Sequence, residues 1–347
     1  MKIKYRLLKN GIIFGMFPIS FIFFTLSAAF PEAVECLYSR SVYQYIARVQ
    51  SLFNAPFSLS ELIISLFIIF LMSRAILSFV RFVRGKTAFK DFAKKTLKGT
   101  FLYCGVVDFL FIFLWGFNYN RKPVAELVDL KEAAASPEHI AACLDALAER
   151  SGELAPLVAR NVDGIFCLSD TARASVSLQA KACTSIFSKA MSKAGIGGFY
   201  FPFTGEANYN SCLPESDIPF TAAHESAHRM GFAKENDANF VAYIMCRESP
   251  LADIRYSAEL TAVSYLLAAL KSADEDLYKE KLPLINQFVK CDIKNKQQFW
   301  RSNRGWFMDF SEKWNDIFLK TNFQKDGNKS YGRFAEMLLS LYAAEKL

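Results

Sequence analysis

Three long apolar runs mark the first third of the chain, at residues 11–30, 62–80 and 99–117. Each approaches the ~20 residues that a helix needs to cross a hydrocarbon core of ~30 Å. A continuous helix satisfies its own backbone hydrogen bonds, so these runs are suited to lipid. The first run ends in small residues, as a cleaved signal peptide does, but its length favours a retained anchor. The pattern therefore predicts three transmembrane helices within a membrane region at residues 1–117.

The pattern changes after residue 117, where apolar residues recur at intervals of three and four. This spacing is typical of amphipathic helices with one buried face. It predicts helices at 139–147, 175–191, 222–232, 235–246, 258–270 and 334–342. Two strand-like stretches lie at 199–203 and 207–212, bounded by Gly and Pro. The chain is thus predicted to be mainly α with a small β-sheet, and its membrane region is followed by one external domain at residues 118–347.

The basic charge of the chain is concentrated beside the apolar runs. Residues 1–117 contain 14 Lys/Arg against 5 Asp/Glu, whereas residues 118–347 contain 27 against 29. Most of the excess lies at residues 1–10 and 81–98. Because basic flanks face the cytoplasm, the N-terminus is expected inside and the external domain outside the cytoplasmic membrane. The lipid bilayer is the expected partner of this charge, and no nucleic acid is expected.

Two of the three histidines in the chain form an HExxH motif, His224-Glu225-Ser226-Ala227-His228. On a helix, residues four positions apart lie on the same face, so the two imidazoles can share one Zn²⁺ ion. Glu225 then lies beside the metal without binding it. A carboxylate in that position serves as the general base that activates a zinc-bound water.

A catalytic zinc site needs a third protein ligand, and the sequence offers two candidates, Glu235 and Asp237. The metzincin spacing HExxHxxGxxH fails, because its last position holds Lys234, whose ammonium group is no ligand. Glu235–Asn239 (ENDAN) instead resembles the gluzincin-type signature of ExxA followed by Asp or Asn, in which a glutamate on the next helix completes the site. Glu235 is the favoured ligand, and Asn239 is expected to hydrogen-bond a ligating histidine.

Three longer blocks resemble one family of bacterial membrane proteins. They are GFYFPFTGEANYN at 198–210, IPFTAAHESAHRMGFAKENDANFVAY at 218–243 and RYS at 255–257. On these blocks the chain resembles the family catalogued as domain of unknown function 3810, whose members are similar to gluzincin metallopeptidases. The resemblance extends over nearly the whole chain. It implies three transmembrane helices followed by a zincin-like (gluzincin-type) metallopeptidase domain, and it implies no particular substrate.

Three weaker candidates lie around the motif. Glu206 and Asn208 precede it at a place where many zinc peptidases bind the substrate backbone along a strand. They are candidate substrate-binding residues, although a structural turn would explain them as well. Tyr256 is a candidate catalytic donor to the oxyanion of the tetrahedral intermediate, and a tyrosine buried in the core would equally account for it.

The favoured function is a membrane-anchored, zinc-dependent metalloendopeptidase that hydrolyses a peptide or protein substrate at the outer face of the cytoplasmic membrane. In this hypothesis His224, His228 and Glu235 bind Zn²⁺, and Glu225 activates the attacking water. The alternative is a membrane-bound sensor of peptides or cell-wall fragments with a structural or vestigial zinc site. The intact motif favours the enzyme, because a structural site has no need of Glu225.

Overall fold

The computed structural model of the chain describes residues 2–52, 57–85, 89–179, 182–322 and 332–345. The chain divides into two compact units. The first unit comprises residues 1–121 with 201–205, and the second comprises residues 122–200 with 206–347. Helices make up most of both units, and a small sheet is present, which confirms the prediction of a mainly α chain.

The first unit consists of helices joined by short turns. Its elements are α1 (Lys2–Ser27), α2 (Pro31–Ala33), a π-helical segment (Val34–Val42), α3 (Tyr43–Ser51), α4 (Leu59–Val83), α5 (Phe89–Leu114) and a 3₁₀ turn (Gly116–Asn120). Ser58 caps α4 by accepting a hydrogen bond from the backbone N–H of Glu61, which satisfies one of the free donors of its first turn.

Two helices of the first unit, α4 and α5, are long and apolar enough to cross a membrane. They overlap the runs predicted at 62–80 and 99–117, although α5 ends at Leu114. The first run differs more, because α1 ends at Ser27 and the chain bends by 103° before the segment that begins at Pro31. Proline lacks the N–H that would continue the helical ladder, which accounts for a break there. Among the described residues the chain therefore has two candidate spans, or three if the bent pair is one span.

Polar contacts tie the helices of the first unit together. The Ser20 hydroxyl of α1 donates to the Asp108 carboxylate of α5 over 2.6 Å. Near the end of the unit, the Arg121 guanidinium makes two hydrogen bonds of 2.8 and 2.9 Å to the buried Glu35 carboxylate. Such paired bonds between planar groups hold orientation as well as distance.

The second unit contains the remaining helices and the strands, apart from Phe201, the final residue of β2, which belongs to the first unit. Its elements are α6 (Val124–Leu127), α7 (Pro137–Leu154), α8 (Asp170–Gln179), β1 (Ala182–Thr184), α9 (Ser188–Ala194), β2 (Gly198–Phe201), β3 (Glu206–Tyr209), α10 (Ile218–Arg229), α11 (Glu235–Arg247), α12 (Ala252–Ala273), α13 (Glu275–Lys281), α14 (Gln287–Asn303), α15 (Trp306–Thr321) and α16 (Gly332–Ala343). The helix at the centre of this unit is α12, with Leu260, Leu266 and Leu270 inside the core, and α7, α10, α11 and α16 pack around it.

The sheet has the strand order β1–β3–β2, so β3 is the central strand and β2 lies at an edge. β1 runs parallel to β3, with Ala182 opposite Ala207. The single helix predicted at 175–191 is therefore wrong, since β1 separates α8 from α9. Pairing with β3 outweighs the helical spacing of apolar residues there, as tertiary context overrides local propensity. α10 packs against β3, which places the HExxH helix next to the sheet.

Candidate metal centre

The helix that carries the motif and the one after it are joined by a tight turn. Pro219 lies in the first turn of α10, where its missing N–H costs no hydrogen bond. After α10 ends at Arg229, Gly231 has a φ of 90°, a conformation that a side chain disfavours. α11 then begins at Glu235 itself. This turn brings the first residue of α11 back beside the histidines of α10.

The side chains of His224, His228 and Glu235 converge, and their potential ligand atoms all lie within 4.8 Å of one another. His224 Nε2 lies 3.2 Å from Glu235 Oε2, and His228 Nε2 lies 3.8 Å from Glu235 Oε1. Two ligands bound tetrahedrally at ~2.0–2.1 Å from one ion are about 3.4 Å apart. The two distances to Glu235 are close to this value, so the three side chains could hold one ion.

The other ring nitrogen of each histidine is held by an oxygen acceptor. His224 Nδ1 donates to Asn239 Oδ1 over 2.8 Å, and His228 Nδ1 donates to the Phe232 carbonyl over 2.8 Å. Because Nδ1 of each ring is engaged in this way, Nε2 is the ring nitrogen that faces Glu235 and that would bind a metal ion once deprotonated. Such outer hydrogen bonds orient histidine ligands in metal sites. Asn239 thus occupies the place that the sequence suggests for it.

Burial governs the proton affinities of this cluster. It raises the pKa of the Glu225 carboxyl to about 8 and lowers the pKa of the His228 ring to about 4, with neighbouring His224 adding to the second effect. Burial would also lower the pKa of His224, but the Glu235 and Glu225 carboxylates raise it to about 8. The Glu225 carboxyl therefore exchanges its proton close to the neutral range.

Asp237, the rival third ligand, does not join the cluster. In the described part of the chain the converging group consists of His224, His228 and Glu235. Asp237 is buried and accepts a hydrogen bond from the Asn236 side chain over 3.2 Å. The short distances from Glu235 to both histidines therefore favour Glu235 over Asp237 as the third ligand.

Tyr256 lies in a different part of the core from the cluster. Its hydroxyl donates to Asp292 over 2.5 Å, and its ring stacks on Phe166 with centroids 5.5 Å apart. Asp292 also accepts hydrogen bonds from Arg160 and from the Phe166 backbone. The Tyr256 hydroxyl is thus engaged in a structural hydrogen-bond network, and its position does not support a role as an oxyanion donor.

The tyrosine of α12 that lies beside the cluster is Tyr265. Burial, followed by the nearby Glu235 carboxylate, raises the pKa of Tyr265, and nearby Asn239 acts in the opposite direction. Its ring packs edge-on against Phe334 with centroids 5.0 Å apart. Nine residues separate the two tyrosines, which puts them on opposite faces of a helix with 3.6 residues per turn. The sequence alone does not show which face of α12 meets α11, so it did not identify Tyr265 as a neighbour of the cluster.

The substrate-binding candidates lie on β3, the central strand. Glu206 is half-buried and Asn208 is fully buried, so β3 does not offer the open edge expected of it. The edge strand beside Glu225 is β2. A Cβ at Gly198 would come within 2.6 Å of Glu225, so the carboxylate side chain lies directly against this strand.

Comparison with known proteins places the chain in one family. The model of the family described as "Protein of unknown function (DUF3810)" matches residues 38–339. The matched segment includes both α4 and α5 and the whole of the metal-centre cluster. No curated protein and no solved structure matches the chain significantly. Because the match covers most of its length, the chain belongs to the DUF3810 family.

Proposed function

We propose that the second unit is a zinc-dependent peptidase that hydrolyses peptide bonds outside the cytoplasmic membrane. The observation that carries the proposal is the convergence of two histidine Nε2 atoms and one carboxylate, with both Nδ1 atoms held by oxygens. His224, His228 and Glu235 would hold the ion. Two imidazoles with one glutamate form a donor set that catalytic zinc sites use, with one position left for solvent or substrate.

A bound zinc ion would supply Lewis-acid polarisation of the scissile carbonyl and of the attacking water. Residues of this chain carry out the proton transfers and hold the ligands in position. Glu225 takes the proton of the attacking water and then delivers it to the nitrogen of the leaving amine. The burial of Glu225 favours this role, because it brings the pKa of the carboxyl close to neutral pH. Asn239 Oδ1 accepts from His224 Nδ1, so Nε2 is the nitrogen of that ring left to bind the ion.

The edge strand β2 supports a peptide as the substrate. An extended segment can add to an exposed sheet edge through backbone hydrogen bonds. Gly198 lies on this strand against Glu225, so a peptide paired with β2 would pass beside the general base. Tyr265 of α12, whose pKa the Glu235 carboxylate raises, is a candidate to assist at the oxyanion.

The candidate spans support attachment to a membrane. α4 and α5 have the length and apolarity of spanning helices. The basic segment at residues 81–98, between α4 and α5, favours the cytoplasmic side and hence an outer location for the second unit. The basic residues 1–10 agree with this orientation if the bent pair forms one span.

The first test compares three variants of the purified full chain. Glu225→Gln should retain the metal and lose about 10²–10⁴-fold in peptide hydrolysis, because the general base is gone. His228→Ala should lose both the bound metal and peptide hydrolysis. Glu280→Gln removes an exposed carboxylate of α13 and should change neither. Metal content by elemental analysis and cleavage of fluorogenic peptides are the measurements. Unchanged hydrolysis by Glu225→Gln would refute the mechanism, and bound metal without any hydrolysis in the natural protein would favour the sensor alternative.

A further inference from the structure

α15 carries six large apolar side chains on one exposed face. They are Trp306, Phe307, Phe310, Trp314, Ile317 and Phe318. At 3.6 residues per turn these positions fall within an arc of about 120°. Trp306 is 80% exposed and Trp314 is 66% exposed, so the largest rings are also the most open.

The opposite face of α15 seats the helix on the second unit. Met308 and Leu319 are buried. Met308 lies against the end of α9, where a Cβ on Gly195 would come 3.0 Å from its Cγ. This packing determines the rotation of the helix, and it directs the aromatic face outward.

An exposed face of this kind is unusual on a soluble surface. Monomeric soluble proteins seldom expose contiguous apolar patches of more than a few hundred Å², and larger ones mark sites of interaction. The face holds two of the four tryptophans of the chain. Tryptophan and phenylalanine on one side of a helix, with charged residues along the other, are typical of helices that lie in a membrane interface.

A basic cavity lies beside this helix. It has a volume of about 730 Å³ and takes part of its wall from Met308 and Glu312 of α15. Its basic lining residues are Lys271, Lys296, Arg301 and Arg304. Lys296 and Arg304 pair with carboxylates at 3.1 Å, whereas Lys271 and Arg301 make no ion pair in the described part of the chain. The cavity therefore has positive charge to offer a ligand.

We propose that the aromatic face of α15 and the exposed basic residues just before it, Arg301 and Arg304, together form a docking surface for an anionic lipid bilayer. The aromatic face would enter the interface, and the two arginines would bind phosphate headgroups. Residues 287–321, which form α14 and α15, carry seven Lys/Arg against four Asp/Glu, a net charge of +3 that complements an anionic surface.

The experiment uses the full chain in nanodiscs that hold one copy each. A variant with Trp115, Trp300 and Trp306 replaced by Phe keeps Trp314 as the single reporter. Brominated acyl chains should quench about half of its emission, because an interfacial helix lies ~5–10 Å into the headgroup–acyl boundary. The matched control replaces all four tryptophans by Phe and carries Val162→Trp, at a fully exposed loop position of the same unit. Its emission should stay unquenched.

Lipid composition tests the basic residues separately from the aromatic face. Quenching of Trp314 should be stronger in discs that contain phosphatidylglycerol than in discs of phosphatidylcholine alone. Arg301→Gln and Arg304→Gln should each lower the docked-to-undocked ratio about fivefold, because each basic residue near an anionic surface contributes ~1 kcal/mol. Lys131→Gln removes an exposed charge outside the cavity and should leave the ratio within about twofold.

Amide hydrogen exchange of the natural chain provides a reading that does not depend on tryptophan replacement. Docking predicts slower exchange across α15 in discs with phosphatidylglycerol than in discs without it. Trp314 quenching no greater than that of the Val162→Trp control, with equal exchange in both lipids, would overturn the proposal. Emission that shifts to the blue only as protein concentration rises would assign the face to a second copy of the chain instead. None of these readings depends on peptidase activity.

Discussion

At the residue scale, the approach of Glu225 to β2 leaves room only for glycine at position 198. A Cβ there would lie 2.6 Å from Glu225 Cγ and Oε1 and 2.8 Å from the Asn208 carbonyl oxygen. Any side chain would have to displace the carboxylate or part the two strands. Gly198 therefore acts on the proposed reaction by positioning Glu225.

Gly198→Ala tests this positioning. The variant should keep its bound metal and lose about 10²-fold in peptide hydrolysis, the usual cost of moving a catalytic group by ~1 Å. Gly197→Ala is the matched control, because its Cβ would meet Thr221 at an ordinary 3.6 Å. Metal content and cleavage rate are measured for both. Equal rates in the two variants would contradict the positioning role.

Asn239 holds the ligating histidine from outside the cluster. Asn239→Ala should weaken metal binding about 10–100-fold, because the His224 ring loses the acceptor that fixes its tautomer and orientation. Asn236→Ala, on the same turn of α11, should bind metal as the natural protein does. Competition with a chelating dye measures the affinity. A normal affinity in the Asn239 variant would show that the His224 ring is held by other contacts.

At the scale of elements, the turn between α10 and α11 completes the cluster. The histidines share a face of α10 through helical periodicity, but Glu235 reaches them only because the chain reverses within a few residues. Gly231, with a φ of 90°, makes that reversal possible. The second ligand-bearing element is therefore placed by backbone conformation.

Gly231→Ala should destabilise the second unit by about 1–2 kcal/mol, because a Cβ is disfavoured at positive φ. Metal affinity should fall with it, since Glu235 moves as the turn relaxes. Gly305→Ala is the control, as its Cβ would meet nothing within 4 Å. Thermal unfolding and metal titration give the two readings. A stable variant with normal affinity would show that the turn tolerates a side chain.

At the scale of the whole molecule, all three candidate ligands belong to one compact unit. A ligand that binds only the folded form stabilises it in proportion to the logarithm of its concentration. Zinc at a hundred times its Kd should therefore stabilise the second unit by about 2.7 kcal/mol.

Hydrogen exchange locates this stabilisation. Amides of α10, α11 and α12 should become protected when zinc is added, while those of α4 and α5 should not change. His224→Ala should abolish the effect. Protection spread equally over both units would mean that the ion does not bind where the cluster predicts.

The sequence by itself determined the features that depend on near neighbours along the chain. The HExxH spacing puts two imidazoles on one face of any helix, and two of the apolar runs became α4 and α5 because a span needs only length and hydrophobicity. The small strands near 199 and 207 were also recognisable from their local composition.

The tertiary structure decided everything that depends on segments distant in sequence. Pairing with β3 turned residues 182–184 into a strand and made β3 central, so the edge beside Glu225 is β2. The seating of α12 brought Tyr265 rather than Tyr256 to the cluster, and the packing of α15 on α9 exposed its aromatic face. These outcomes depend on which faces of the helices and strands pack together. The periodicity of one helix shows which of its faces is apolar but not which element that face will contact.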